Sequence, residues 1–241
     1  MTAMSGRGAK LANRSRLVWD LPVRIFHWVL VLAVIGAFVT NRLGVAYFDY
    51  HLLCGYTVIV AVVFRIVWGV VGTRHARFTD FVRGPREIWR YLRALAQRCE
   101  PVHAGHNPLG GLMVVALLGG LLLQAVLGLF SNDEIFNSGP FNALLSSDLS
   151  KLVSSLHRRL SYVIAVAIAM HVGAVLLHQW GKKEDLLRPM ITGRKRLPEK
   201  GHGVGIPSSR LGLALVLAAL LTGAFLLVLG QAPAPANSDM Y

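Results

Sequence analysis

Apolar residues along this chain gather into five long runs separated by shorter polar connections. The runs cover about residues 25–42, 51–71, 110–130, 154–178 and 211–229. Each comes close to the roughly 20 apolar residues a helix needs to cross the hydrocarbon core of a bilayer. The pattern predicts an all-α integral membrane protein. The polar segments divide it into a basic, disordered tail (1–17), a transmembrane domain (18–196), a linker (197–210), one further span (211–230) and a short tail (231–241). Local signals refine the picture. Pro22 suits a helix start, and Trp19 and Trp28 suit a membrane interface. In "GHNPLGG", Asn107 is placed to cap a helix and Pro108 to begin it. In "GPREIWRYLRALAQR", Pro85, apolar Ile88, Leu92 and Leu95 and the interspersed arginines predict a short amphipathic helix on the membrane surface.

Composition agrees. Of the 241 residues 54% are hydrophobic and only 15% charged, with a mean hydropathy of +0.52. Soluble domains carry about 25% charged residues. The formal charge of +13 raises the question of nucleic acid, but its placement answers it. Basic residues cluster before the first span, in the loop from Arg74 to Arg98, and from Lys182 to Arg210, while the connections near 43–50 and 131–150 carry almost none. This alternation is the positive-inside pattern and predicts a cytoplasmic N-terminus. Anionic lipid is a secondary partner of the basic face; nucleic acid is not expected. A cleaved signal peptide would also put a basic stretch before an apolar one. Around "AFVTNRLG" there is no convincing small-residue cleavage site, and the run holds a histidine and a tryptophan, so it is read as a span. Cys54 and Cys99 fall on opposite sides of the membrane and are not expected to pair. There is no C-x-x-C-H for covalent haem attachment.

Candidate chemistry lies in the histidines. His157 and His171 are fourteen positions apart, which at 100° per residue brings both to one side of a helix. Their rise separation is ~21 Å, so one lies near each leaflet of a core about 30 Å thick. His27 begins the first span on the cytoplasmic side and His51 begins the second on the outer side. The depths pair His27 with His171 and His51 with His157, two imidazoles per leaflet, as two flat iron porphyrins stacked across the bilayer would require. His178 shares the face of His171, but paired with His157 it would set the irons ~31 Å apart. It is read as meeting headgroups or a haem propionate. The plainer reading is that these are interfacial or hydrogen-bonded structural histidines. Zinc or copper transport is another use of membrane imidazoles, but it usually calls for carboxylates or tighter His/Cys clusters, and the spans lack acidic residues. Propionates need cations: Arg65, inside the second span, and Arg24 are candidates for the inner haem, and Arg158 or Arg159 for the outer one. Each could instead anchor its helix at the interface.

The runs "VWDLPVRIFHW", "FRIVWGVVGTRHARFTDFVRGP", "GHNPLGGLM", "SLHRRLSYVIAVAIAMHVGAVL" and "LLRPMITGRK" resemble the bacterial cytochrome b561 family. The resemblance covers about residues 17–196 and is nearer to the branch of b-type cytochrome subunits of nickel–iron hydrogenases. It implies a four-helix transmembrane bundle in the inner membrane, holding two non-covalent haems b. Histidines of the first, second and fourth helices ligate them, which maps onto His27, His51, His157 and His171. It also implies electron exchange between membrane quinone and a partner: a hydrogenase, a c-type cytochrome or, in some relatives, superoxide. The fifth span departs from the four-helix members.

The chain is therefore expected to relay electrons through two haems between quinone and a redox partner. The alternatives are a membrane oxidoreductase acting directly on a small substrate such as superoxide, and a non-redox transporter or anchor subunit. For the quinone, His106 at the start of the third span is the candidate, able to exchange a proton near neutral pH. The plainer reading of His106 is a surface histidine beside a capped helix. His75 and His103 have weaker claims, and His202 is read as solvated in the linker.

Overall fold

The structure, a computed structural model, describes residues 14–97, 99, 105–197 and 205–233. Five helices within it are long and apolar enough to cross a membrane. Helix α1 (Leu21–Leu43) starts four residues before its apolar run, because Asp20 caps it by accepting the Val23 amide at 2.7 Å and Pro22 occupies its first turn. It stops at Gly44, whose φ of 97° suits glycine. A short turn, Val45–Tyr47, leads into α2 (Phe48–Val71). The basic connection that follows holds a single turn α3 (Phe78–Phe81) and the amphipathic α4 (Pro85–Ala96). Helix α5 (Pro108–Leu129) is capped as its sequence predicts, Gly110 N–H donating to Asn107 Oδ1 at 2.7 Å.

Helix α6 (Ser147–Leu176) begins seven residues before its apolar run. Its first turns are polar because they hold the preceding loop. The Asn142 amide donates to Phe130 O and Ser150 Oγ, both at 2.7 Å, and Ser154 Oγ accepts from the Asn132 amide at 2.8 Å. The helix ends in a π-helical turn, Leu177–Gly181, before the short α7 (Leu187–Thr192). The last helix is α8 (Leu211–Leu229). The spans alternate in direction. The start of α1, the end of α2, the start of α5, the end of α6 and the start of α8 therefore share one end, the basic end; the 43–48 and 130–147 connections share the opposite end.

One element was not foreseen. Arg14–Leu17 (β1) pairs antiparallel with Arg194–Leu197 (β2), Arg14 opposite Leu197 and Leu17 opposite Arg194. The end of the expected disordered tail is thus an ordered strand. Its partner lies so far away in sequence that local pattern gave no sign of the pairing. Gly193, at φ 80°, closes the ribbon: its carbonyl accepts the amides of Val18 at 2.8 Å and Trp19 at 3.1 Å. A Cβ there would lie 2.7 Å from Trp19 O.

Helix α2 is central, packing on α1, α5 and α8, while α6 packs chiefly on α5. One buried cluster at the basic end unites Val18, Trp19, Val23, Phe64, Trp68, Ala76 and Ala214. A second, deeper in the bundle, unites residues of α1, α2, α5 and α6 around Val62 and Leu121. Outward-facing leucines and valines such as Leu32, Val163 and Leu227 stay exposed, as on a surface meant for lipid. Among the described residues α6 approaches α1 and α2 less closely than it does α5, and His51 of α2 meets His157 of α6 between them.

Candidate haem sites

At the end opposite the basic one, His51 in the first turn of α2 and His157 on α6 come together, ring centroids 6.4 Å apart and planes at 83°. Each Nδ1 lies 2.9 Å from a backbone carbonyl, Ala37 for His51 and Gln124 for His157. A carbonyl can only accept, so Nδ1 carries the proton in both rings and each Nε2 is left with its lone pair. That is how metal-binding imidazoles are commonly held. Metal–imidazole bonds are about 2 Å long, so two rings on one ion sit roughly 6 Å apart centre to centre. The observed spacing fits.

Neighbouring residues shape this site. Phe48 stacks on His51. Gly128 makes room for His157: a Cβ there would be 3.0 Å from the imidazole Cε1. Gln124 presents its side-chain amide to His157 Nε2 at 3.3 Å and leaves Oε1 buried without a partner. A cavity of about 200 Å³, lined by Thr40, Asn41, Asp133 and Asn137 among others, reaches His51 from this end. Arg158 and Arg159 beside His157 are exposed.

At the basic end the geometry centres on His106. Its ring is enclosed between Trp19 and Phe81, each 4.7 Å away centroid to centroid. Burial pushes it down to about 3, helped by the nearby charge of Arg65 and by His171, His27 and His75. The cap at Asn107 is as expected, but His106 is not freely exposed: it is half-buried, Trp19 folding over its ring from the start of α1. Nor is it poised to titrate near neutral pH. Its Nδ1 is buried without a partner, as is Nδ1 of His27. His27 and His171 make no ring contact with each other, though both lie within electrostatic reach of His106.

Arg65 is buried, its guanidinium 5.4 Å and 5.7 Å from the ring centroids of Phe78 and Phe81, and one terminal nitrogen has no hydrogen-bond partner. Asp20 lies within its electrostatic reach. This carboxylate, absent from the sequence-derived site, is almost wholly buried. Besides capping α1 it accepts hydrogen bonds from Trp68 Nε1 at 3.1 Å and from Thr73 Oγ1. Pro22 marked the helix start in the sequence, but the role of Asp20 in tying the start of α1 to the end of α2 depends on tertiary contacts.

Other expected residues take different places. Arg24 donates to Ile191 O while its Nε stays buried without a partner. His178 pairs with Glu184 at 3.0 Å, and the other Glu184 oxygen takes Lys195 at 2.9 Å. The π-helical turn, with Gln179 accepting the Leu186 amide at 2.9 Å, sets that arrangement. His75 is buried against Asp80. His103 and His202 lie outside the described residues. Cys54 and Cys99 are both free thiols. Among the described residues no group of three or more His, Cys, Asp or Glu side chains is placed to hold a metal ion.

A family model described as prokaryotic cytochrome b561 matches residues 18–193. The chain belongs to this family. Membership makes it a b-type cytochrome of membrane electron transport and implies b-type haem. It is similar to a probable Ni/Fe-hydrogenase B-type cytochrome subunit of Azotobacter vinelandii, 29% identical over 73% of this chain and 86% of the relative. A probable Ni/Fe-hydrogenase 1 B-type cytochrome subunit of Escherichia coli K12 is 26% identical over 74% and 90%. One from Rhizobium leguminosarum bv. viciae is 24% identical over 82% and 96%. No solved structure gives a significant match.

Proposed function

We propose that this cytochrome carries electrons through two non-covalent haems b between the quinone pool and a redox partner. The observation that carries the reading is the His51–His157 pair, with both Nδ1 protons tied to backbone carbonyls and the rings 6.4 Å apart. His51 and His157 would hold one haem and His27 and His171 the other. Haem, when bound, would supply reversible one-electron chemistry. The chain's own part would be to hold these four imidazoles in place and to set the charges around them. Arg65 and Arg24, each with a buried nitrogen lacking a partner, are the cations available to propionates at the basic end, and Arg158 at the other.

His106 is the candidate partner of quinone. As a neutral imidazole with an unpartnered Nδ1 it would hydrogen-bond a quinone oxygen and orient it, while Trp19 and Phe81 restrict water. The alternating basic connections support a bacterial inner-membrane location with the N-terminus in the cytoplasm. The hydrogenase relatives favour a hydrogenase as partner at the opposite end, with a c-type cytochrome as the other candidate. The polar cavity over His51 favours a second reading, in which a small substrate such as superoxide meets the haem there directly.

The test is haem stoichiometry and reduced-minus-oxidised spectra of the purified protein. Two haems per chain are expected in the wild type. His51→Ala should lose one and His27→Ala the other, with distinct residual spectra. A wild type without haem in haem-replete cells would refute the proposal.

A further inference from the structure

A second cavity, of about 250 Å³, with a cationic rim and the apolar Ile206 and Pro207 in its wall, lies at the basic end, remote from the candidate haem pairs in sequence and built in part by the linker to α8. Thr73, Arg74, Arg77, Ser208 and Arg210 line it. Its volume falls below the roughly 300–1,000 Å³ typical of small-molecule pockets, which suits a headgroup rather than a whole soluble ligand. Its acidic neighbour, Asp80, is already shared between Arg74 at 3.6 Å and His75 at 2.8 Å, so positive charge is in excess. The arginines are held in place. Arg77 Nε donates to Gly72 O at 3.0 Å, and Arg210 donates to Val71 O at 3.1 Å. Arg210 also has a φ of 49°, a left-handed conformation uncommon for a side chain of this size. The Arg210 amide donates to Ser208 Oγ, and no side chain caps α8 behind it. The leading amides of that helix therefore add their partial positive charge.

Depth identifies the ligand. Val71 ends α2 and Leu211 begins α8, so the cavity sits where two spans meet the membrane surface. Just below it Val70, Leu211 and Leu215 are exposed and apolar. A fixed cluster of cations above an apolar wall matches a phosphodiester with acyl chains. We infer that the cavity between the end of α2 and the start of α8 binds the phosphate of an anionic phospholipid headgroup. Basic pockets between transmembrane helices are suited to such headgroups. The fifth span thereby gains a role as one wall of a lipid site.

The experiment compares thermal unfolding of the full-length protein in nanodiscs of pure phosphatidylcholine and in nanodiscs containing increasing cardiolipin. A parallel series in phosphatidylcholine titrates inorganic phosphate. Anionic lipid should raise the melting temperature of the wild type, and inorganic phosphate should not. In Arg210→Gly, which suits the left-handed backbone, the lipid concentration at half-effect should rise about fivefold, and in Arg74→Gln/Arg210→Gly by more than tenfold. Arg86→Gln/Arg90→Gln, which removes the same charge from α4, should leave it nearly unchanged. An equal loss in the α4 variant, or no loss in the double cavity variant, would overturn the inference. Protection by inorganic phosphate as good as that by cardiolipin would overturn its lipid part. Size-exclusion profiles establish that each variant is folded, and Arg74→Gln alone serves if Arg210→Gly is not.

Discussion

Asp20 concentrates several tasks in one side chain. It caps α1, accepts from the Trp68 indole and the Thr73 hydroxyl, and lies within reach of buried Arg65. Asp20→Ala would strand these donors in the protein interior, and a destabilisation of about 2–4 kcal/mol is expected from a lost cap plus buried unpaired groups. Asp20→Asn keeps the cap and should cost about half as much; unfolding of both variants in one micelle system compares them. Glu184 offers a different test. Its burial would raise the carboxyl, but hydrogen bonds from His178 and Lys195 and their charges outweigh that and hold it below the usual range. Its contribution to stability is thus complete above its unfolded value of about 4.3. It is lost as pH falls through the lower folded value. Glu184→Gln should flatten the acid limb of a melting-temperature profile while leaving the neutral region lower and level.

At the scale of elements, α2 shows what periodicity can and cannot tell. Its apolar run and its histidine at one end and arginine near the other were legible from sequence. Its packing on α1, α5 and α8 together was not, since an apolar helix in lipid shows little difference between a face meant for protein and one meant for acyl chains. Gly69 marks the protein-facing side. A Cβ there would lie 2.2 Å from the Phe78 ring, and that ring stacks on the Arg65 guanidinium. Gly69→Ala should therefore lower stability by about 1–3 kcal/mol. If haem at the basic end relies on Arg65, the variant should also shift that haem's midpoint potential, read by redox titration. The same limit applies to the site. His51 and His157 were legible as a pair by depth, whereas the carbonyls of Ala37 and Gln124 that fix their tautomers leave no trace in residue type. The enclosure of His106 by Trp19 was equally silent, because it joins residues on either side of two spans.

At the scale of the whole molecule, α8 is an added wall on a bundle otherwise complete in its candidate ligands. It contributes Ala214 to the cluster at the basic end and Phe225 to a ring contact with Tyr56 at 5.6 Å. Removing residues 205–241 should leave the number of haems per chain unchanged while lowering the melting temperature, measured on the purified proteins by absorbance and by thermal scan.

The β1–β2 ribbon brackets the family segment. It joins positions 14–17 to 194–197, so the two ends of the stretch matched at residues 18–193 lie side by side at the basic end. Topologically the four-span portion is nearly a ring. The ribbon cannot form until the fourth span has crossed and brought β2 back to the first. It closes a very long loop, at an entropic cost that grows only slowly with length. A ring can be opened elsewhere. A circular permutant of the four-span portion, joined across the ribbon and cut in the α4–α5 connection, would insert its spans in a new order yet assemble the same bundle.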